Sequence, residues 1–185
     1  MELIDKAFQQ INRKDFVPEH LKDLAIVDEA LPIGYGQTIS QPTTIKMMLS
    51  WLDVQLGDKI LDIGSGSGWS SALLAYITGP KGWVYAVERM PELLILGRTN
   101  CQKAGLKNIK FFQAGKEYGL TEYAPYNRIL VSAAADKLPE LLIDQLKIGG
   151  KMVIPVRNDI LEITKTGADS FDGITHPGFI FVSLI

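Results

Sequence analysis

The sequence predicts an α/β fold: a mostly parallel sheet with helices on both faces and an antiparallel C-terminal edge. Two observations carry this. From Lys59 onward, short apolar runs alternate with stretches of helical length, and that order needs crossovers that leave the strands parallel. The tail then changes rhythm, with two strand-like runs, 161–166 and 179–184, joined only by a loop.

Each element has its own signal. Leu3, Ile4, Ala7, Phe8 and Ile11 recur at helical spacing and predict an amphipathic helix over 2–12. Residues 14–41 hold Pro18, Pro32, Gly34 and Gly36 and read as mostly irregular. A second helix begins near 42–44 and runs to about Trp51. Lys59–Ile63 is a short apolar run ending in glycines, the pattern of a buried parallel strand. A helix at 69–77 follows, and the turn Gly79-Pro80-Lys81-Gly82 leads into a strand at 83–87. A helix at 91–104 and strands at 109–113 and 128–132 come next, then a helix at 138–146 and a strand at 151–155.

Composition excludes several classes. A length of 185 residues suits one domain, 1–185, and no repeat or linker divides it. A net charge of −2 gives no reason to expect nucleic acid or an anionic membrane as partner. Cys101 is alone, so no intrachain disulfide forms and a reducing compartment is natural. Its setting reads as a helix turn holding a packed thiol, not a nucleophile. The start, Met1-Glu2-Leu3-Ile4-Asp5, has no positive region followed by an apolar core, so neither a signal peptide nor a membrane span is expected. The expected location is cytoplasmic. No apolar helix is left over for a partner, so a monomer is expected. His20 and His176 stand alone and read as surface or loop residues. No Cys/His/Asp/Glu cluster has metal-ligand spacing, and no metal is expected.

The strongest local signal is Leu61-Asp62-Ile63-Gly64-Ser65-Gly66-Ser67-Gly68-Trp69. A strand ends at three alternating glycines and a helix begins directly after them. Glycines let the backbone turn tightly and approach a ligand, and helix N-terminal amides point into the same space. The same turn also occurs without a ligand, so the second feature matters. Glu88 closes the next strand, 20 residues after Gly68, where a carboxylate accepts from ribose hydroxyls. The triphosphate-binding G-x-x-x-x-G-K-[ST] is missing, and the glycines follow G-x-G-x-G, not G-x-G-x-x-G. Asp62 would repel a pyrophosphate but attract the ammonium of a methionine moiety. S-adenosylmethionine therefore fits better than NAD.

Beyond this loop the chain resembles the protein-L-isoaspartate O-methyltransferases. The most specific segment is Leu31-Pro32-Ile33-Gly34-Tyr35-Gly36-Gln37-Thr38-Ile39-Ser40-Gln41-Pro42, similar to that family's substrate-side signature. The likeness continues through the glycine loop, Val87-Glu88-Arg89, Ala124-Pro125-Tyr126-Asn127, Val131-Ser132-Ala133-Ala134-Ala135 and Gly149-Gly150-Lys151-Met152-Val153-Ile154-Pro155-Val156. It implies a Rossmann-like S-adenosylmethionine-dependent methyltransferase fold, with N-terminal helices and substrate loop at 1–56 and the core at 57–185. It implies methylation of the α-carboxyl of L-isoaspartyl residues in damaged proteins, a repair reaction whose ester closes to a succinimide. By position, Ser40 and Thr38 would be catalytic, and Gln37, Ile39, Ser40 and Ala133 would meet the substrate. Asp62, Gly64, Ser65, Gly66, Gly68, Glu88 and Arg89 would hold the cofactor.

Two departures stand out. Family members usually carry Gly-Asp-Gly after the third strand, where the acid reads the adenine amino group. Here the chain reads Ala114-Gly115-Lys116-Glu117-Tyr118-Gly119, and a lysine has donors only. Glu117 is therefore the expected substitute. The start of the chain also lies close to Phe16-Val17-Pro18, leaving a short helical leader. A carboxylate acceptor, with a pKa of about 4, is already ionised at neutral pH and needs no general base or metal. A different acceptor on the same cofactor fold and a silent cofactor-binding relative remain as alternatives, with a dehydrogenase a distant fourth reading.

Overall fold

In the computed structural model, which describes residues 2–184, the chain first runs through helix α1 (Glu2–Gln10) and two 3-10 turns (Arg13–Phe16 and Glu19–Leu24). A hairpin of β1 (Leu31–Gly34) and β2 (Gln37–Ile39) and helix α2 (Pro42–Leu52) follow. Then come β3 (Lys59–Ile63), α3 (Trp69–Thr78), β4 (Trp83–Glu88), α4 (Pro91–Lys103) and β5 (Ile109–Gln113). The chain ends through β6 (Tyr126–Val131), α5 (Glu140–Asp144), β7 (Leu146–Val156), β8 (Asp159–Lys165) and β9 (Phe171–Pro177).

Strands β3 to β9 form one sheet in the order β5-β4-β3-β6-β7-β8-β9. The pairs from β5 to β7 are parallel, and β7–β8 and β8–β9 are antiparallel. Successive side chains of a strand point to opposite faces, and the two cores divide accordingly. Ile60, Val84, Leu130 and Val153 enter one, while Leu61, Tyr85, Ile129 and Met152 enter the other. The first face is covered by α1 to α4 through Ala7, Ile45, Leu73 and Leu93. The second is covered by α5, through Leu142 and Ile143, and by Tyr123, whose ring lies tilted against Tyr85 while Tyr126 of β6 meets the same ring edge-on. Each large aliphatic side chain buried this way contributes about 1.5–3 kcal/mol of transfer free energy.

Four expectations are corrected. The 14–41 stretch is not all irregular: Leu31, Ile33 and Ile39 are buried in the short hairpin, whose turn places Tyr35 at φ 56° between two glycines of positive φ. The helix expected at 138–146 is only Glu140–Asp144, because Pro139 precedes it and Leu146 already pairs with Tyr126 in the sheet. The final strand is Phe171–Pro177, not 179–184. That edge strand is almost wholly exposed, so its sequence carries no apolar alternation; backbone pairing to β8 over seven residues defines it. His176 lies on it, stacked on Trp51 at 3.8 Å with Nε2 3.5 Å from Glu162, and so is not a bare surface residue.

Candidate active site

The chain leaves β3 to one side, towards β4, and reaches β3's other neighbour, β6, only later. At such a switch point the connections diverge and leave a crevice beyond the carboxyl ends of the strands. A cavity of about 720 Å³ opens there. Its floor comes from Gly64 and Gly66 after β3, Glu88 to Met90 after β4, residues 114–119 after β5, and Ser132 and Ala133 after β6. Ile33, Gln37 and Thr38 of the hairpin and Val182, Ser183 and Leu184 from the C-terminal segment close it. That segment docks beside β6, where Ala134 N–H donates to the Val182 carbonyl and Leu184 N–H to the Ala134 carbonyl, both at 2.8 Å.

The glycine loop is fixed from two sides. Gly64, Gly66 and Gly68 all have positive φ, at 75°, 52° and 92°. Gly64 N–H and Ser65 N–H donate to the Val87 carbonyl at 2.9 and 3.2 Å, and Gly66 N–H donates to Glu88 Oε2 at 2.8 Å. On the other side α4 presses in: Asn100 Nδ2 donates to the Ser67 carbonyl at 3.0 Å, and Cys101 Sγ to the Gly68 carbonyl at 3.3 Å. Burial pushes the Cys101 thiol up to about 12, helped by the Asp62 charge, so it is the packed group its sequence setting suggested.

Glu88 is 6% exposed, and its second oxygen accepts from Met90 N–H at 2.9 Å. Its carboxylate therefore stands at the cavity floor with a fixed orientation. Each oxygen has a lone pair beyond the one these bonds use. Asp62 is placed differently. It is wholly buried beneath the loop and does not line the cavity. Its Oδ2 accepts from Ser70 and Ser71 hydroxyls at 2.8 and 2.6 Å, while Oδ1 has no partner. Burial pushes this carboxyl up to about 6, the two serine bonds pull it down, and the Glu88 charge adds a smaller push upward.

The predicted residues thus divide. Gln37, Thr38, Gly64, Gly66, Glu88, Arg89, Glu117 and Ala133 line the large cavity. Ile39, Ser40 and Ser65 line a smaller one beside it, which shares Ile33, Thr38, Gly64, Gly66 and Ser132. Gly68 caps α3, and Asp62 lies below. Glu117 and Lys116 are both exposed on the rim. Sequence reasoning missed Met90, Tyr118, Ser132 and the 182–184 segment as lining residues, and Arg13 beneath the hairpin. Only Ser132 had a local signal, its position at the carboxyl end of an apolar strand. Among the described residues, no group of three His, Cys, Asp or Glu could hold a metal ion, and no helix is long and apolar enough to cross a membrane.

The arrangement matches known proteins along its whole length. The family described as protein-L-isoaspartate(D-aspartate) O-methyltransferase matches residues 1–185. A protein-L-isoaspartate O-methyltransferase of Fervidobacterium nodosum is 43% identical over 182 residues, covering 96% of this chain and 92% of that one. One from Methanothrix thermoacetophila is 42% identical over 187 residues, covering 100% of this chain and 88% of that one. A solved protein-L-isoaspartate O-methyltransferase superposes with a TM-score of 0.91 at 26% identity, over 100% of this chain and 61% of that longer one. A solved structure from Plasmodium falciparum, in complex with S-adenosyl-L-homocysteine, shares the fold with a TM-score of 0.87 at 24% identity, over 100% of this chain and 91% of that one. With a match spanning all 185 residues and relatives above 40% identity over nearly their full lengths, this chain belongs to the protein-L-isoaspartate(D-aspartate) O-methyltransferase family.

Proposed function

We propose that this chain transfers the methyl group of S-adenosylmethionine to the α-carboxyl of L-isoaspartyl residues in damaged proteins, the first step of their repair. The observation that carries the reading is the cavity at the switch point, whose floor is a glycine loop and a fixed carboxylate and whose roof is the 31–39 hairpin. The residues present fit the cofactor. Gly64 and Gly66 leave the backbone bare, and a Cβ at Gly66 would already crowd Ile33 Cδ1 at 3.1 Å. The Ser65 hydroxyl on this loop and the Ser132 hydroxyl after β6 are buried without partners and line the smaller cavity. Such atoms are costly to leave unpaired, by about 1–3 kcal/mol each, which favours a polar ligand beside them.

In this reading Glu88 accepts from ribose hydroxyls, and Gly64 and Gly66 form the bed beneath the cofactor. Asp62 acts at one remove, holding the first turn of α3 and giving negative character to the loop beneath the cofactor's ammonium. Glu117 accepts from the adenine amino group in place of the usual acid. The bound cofactor supplies an electrophilic methyl on a sulfonium. Thr38 and Ser40 orient the acceptor carboxylate, which is ionised at neutral pH and needs no base. The hairpin and the 182–184 segment exclude water where opposite charges are neutralised.

Methyl transfer from labelled cofactor to an L-isoaspartyl peptide tests this, with the aspartyl twin as control. Base-labile label on the isoaspartyl peptide alone is the expected result; base-stable label would point to another acceptor. Glu117→Ala is expected to weaken cofactor binding about fivefold or more in calorimetry. Unchanged affinity would end the assignment of Glu117 to the adenine.

A further inference from the structure

Arg13 lies in the 3-10 turn after α1 and is only 5% exposed. All four of its Nη hydrogens meet backbone carbonyls. Nη1 donates to Ala25 and Val27 at 3.2 and 3.1 Å. Nη2 donates to Glu29 at 2.7 Å and Ser40 at 3.0 Å, with the Ile39 carbonyl more distant at 3.5 Å. The guanidinium also sits 5.4 Å from the centre of the Trp69 ring, the first residue of α3 after the glycine loop. One planar group thus ties the 25–29 segment to the turn that carries Ser40, against the helix that follows the loop.

A second tie holds the same turn from its other side. The Asp28 carboxylate accepts from Thr43 N–H at 2.8 Å, from the Thr43 hydroxyl at 2.7 Å and from Gln41 Nε2 at 3.1 Å. Ser40 therefore lies between two anchors rooted in residues 25–29. A fold that needed only to fill this space would use an apolar side chain, because burying a charge is unfavourable. Burial indeed lowers the Arg13 pKa. What a guanidinium adds is four directed bonds in one plane to carbonyls 12 to 27 residues away.

We propose that Arg13 is a positioning residue for the methyl acceptor. Through the Ser40 carbonyl it fixes residues 38–40, which line the smaller cavity, and it thereby sets affinity for the isoaspartyl acceptor and not for the cofactor. The proposal rests on the isoaspartyl reading above. Lysine cannot take its place, since an ammonium has only three hydrogens, set tetrahedrally at one point, for four carbonyls that the guanidinium reaches from two nitrogens.

The test compares wild type with Arg13→Lys and Arg13→Met by amide hydrogen exchange, cofactor calorimetry, and kcat and KM for the isoaspartyl peptide. In Arg13→Lys, exchange over 36–44 should quicken about tenfold or more while β3 and β4 keep their wild-type protection. Cofactor affinity should stay within about twofold, and peptide KM should rise about tenfold with kcat moving less. Exchange that quickens uniformly across the sheet, or equal loss of both ligands, would assign Arg13 to holding the fold and overturn the proposal. Wild-type loop exchange and KM would overturn it as well. Should Arg13→Met fail to fold, Arg13→Lys decides alone; failure of both counts against the proposal. A wild-type protein that leaves the isoaspartyl peptide unmethylated sinks the underlying reading, and loop exchange still reports whether Arg13 holds the turn.

Discussion

Asp62 carries its carboxylate where water does not reach, and that has a consequence for stability. Its folded value is about 6 against an ordinary 3.8, with burial the main cause. Between those values the folded chain holds a proton that the unfolded chain has released. Stability from this group is therefore greatest below pH 4 and is lost as pH rises through 6, by at most about 3 kcal/mol. Other groups titrate in the same range, so the useful quantity is a difference. The unfolding free energy of wild type minus that of Asp62→Asn should fall as pH rises from 4 to 6 and level off above. A difference that stays flat in denaturant titrations across that range would show that Asp62 keeps an ordinary pKa. At neutral pH the ionised carboxylate is unfavourable beneath the loop, and a cation brought near it lessens that penalty. The sequence revealed the acid but not its depth, because burial comes from Ser70 and Ser71 closing over it, and serine gives no burial signal.

At the scale of elements, the glycine loop and α4 are one unit. A Cβ at Gly68 would stand 2.8 Å from the Gly97 carbonyl oxygen and 3.0 Å from Cys101 Sγ, in addition to its φ of +92°. Gly97 is tight in return, its Cβ falling 2.9 Å from the Gly66 carbonyl oxygen. Gly68→Ala should therefore destabilise the fold by about 2–4 kcal/mol, with crowding added to backbone strain. Gly34→Ala has the same φ, +92°, but open space around it, so only strain remains, about 1–2 kcal/mol. Thermal melts of the two variants separate the effects; equal losses would mean that α4 yields and the clamp is soft. The strand–loop–helix half of this unit was legible, since G-x-G-x-G after an apolar run has a local cause. The clamp by α4 was not legible, because Gly97, Asn100 and Cys101 look like an unremarkable helix until the sheet folds them onto the loop.

The whole molecule brings together ends that are far apart in sequence. The cavity floor belongs to residues 63–133, but its roof needs the hairpin at 31–39 and the segment at 182–184. Strand β9 and the residues after it were the poorest part of the sequence reading for this reason. An edge strand needs no apolar face when its stability comes from pairing, and the last segment is held by two backbone bonds to Ala134 and by Phe179 and Phe181 against the first core. Local pattern reports neither. Such a segment contributes more to the site than to the fold. Removing residues 180–185 leaves all seven sheet strands and both cores' strand residues in place, so melting should drop by only about 4–8 °C, the shift expected for about 2 kcal/mol in a chain of this length. The cavity, however, loses the wall made by Val182, Ser183 and Leu184, and water enters where the methyl moves. Transfer to an isoaspartyl peptide should then fall by about tenfold or more in kcat/KM. If the shortened chain melts as predicted and transfers at the full rate, the segment is no wall of the working site, and the hairpin alone must exclude water from the transfer.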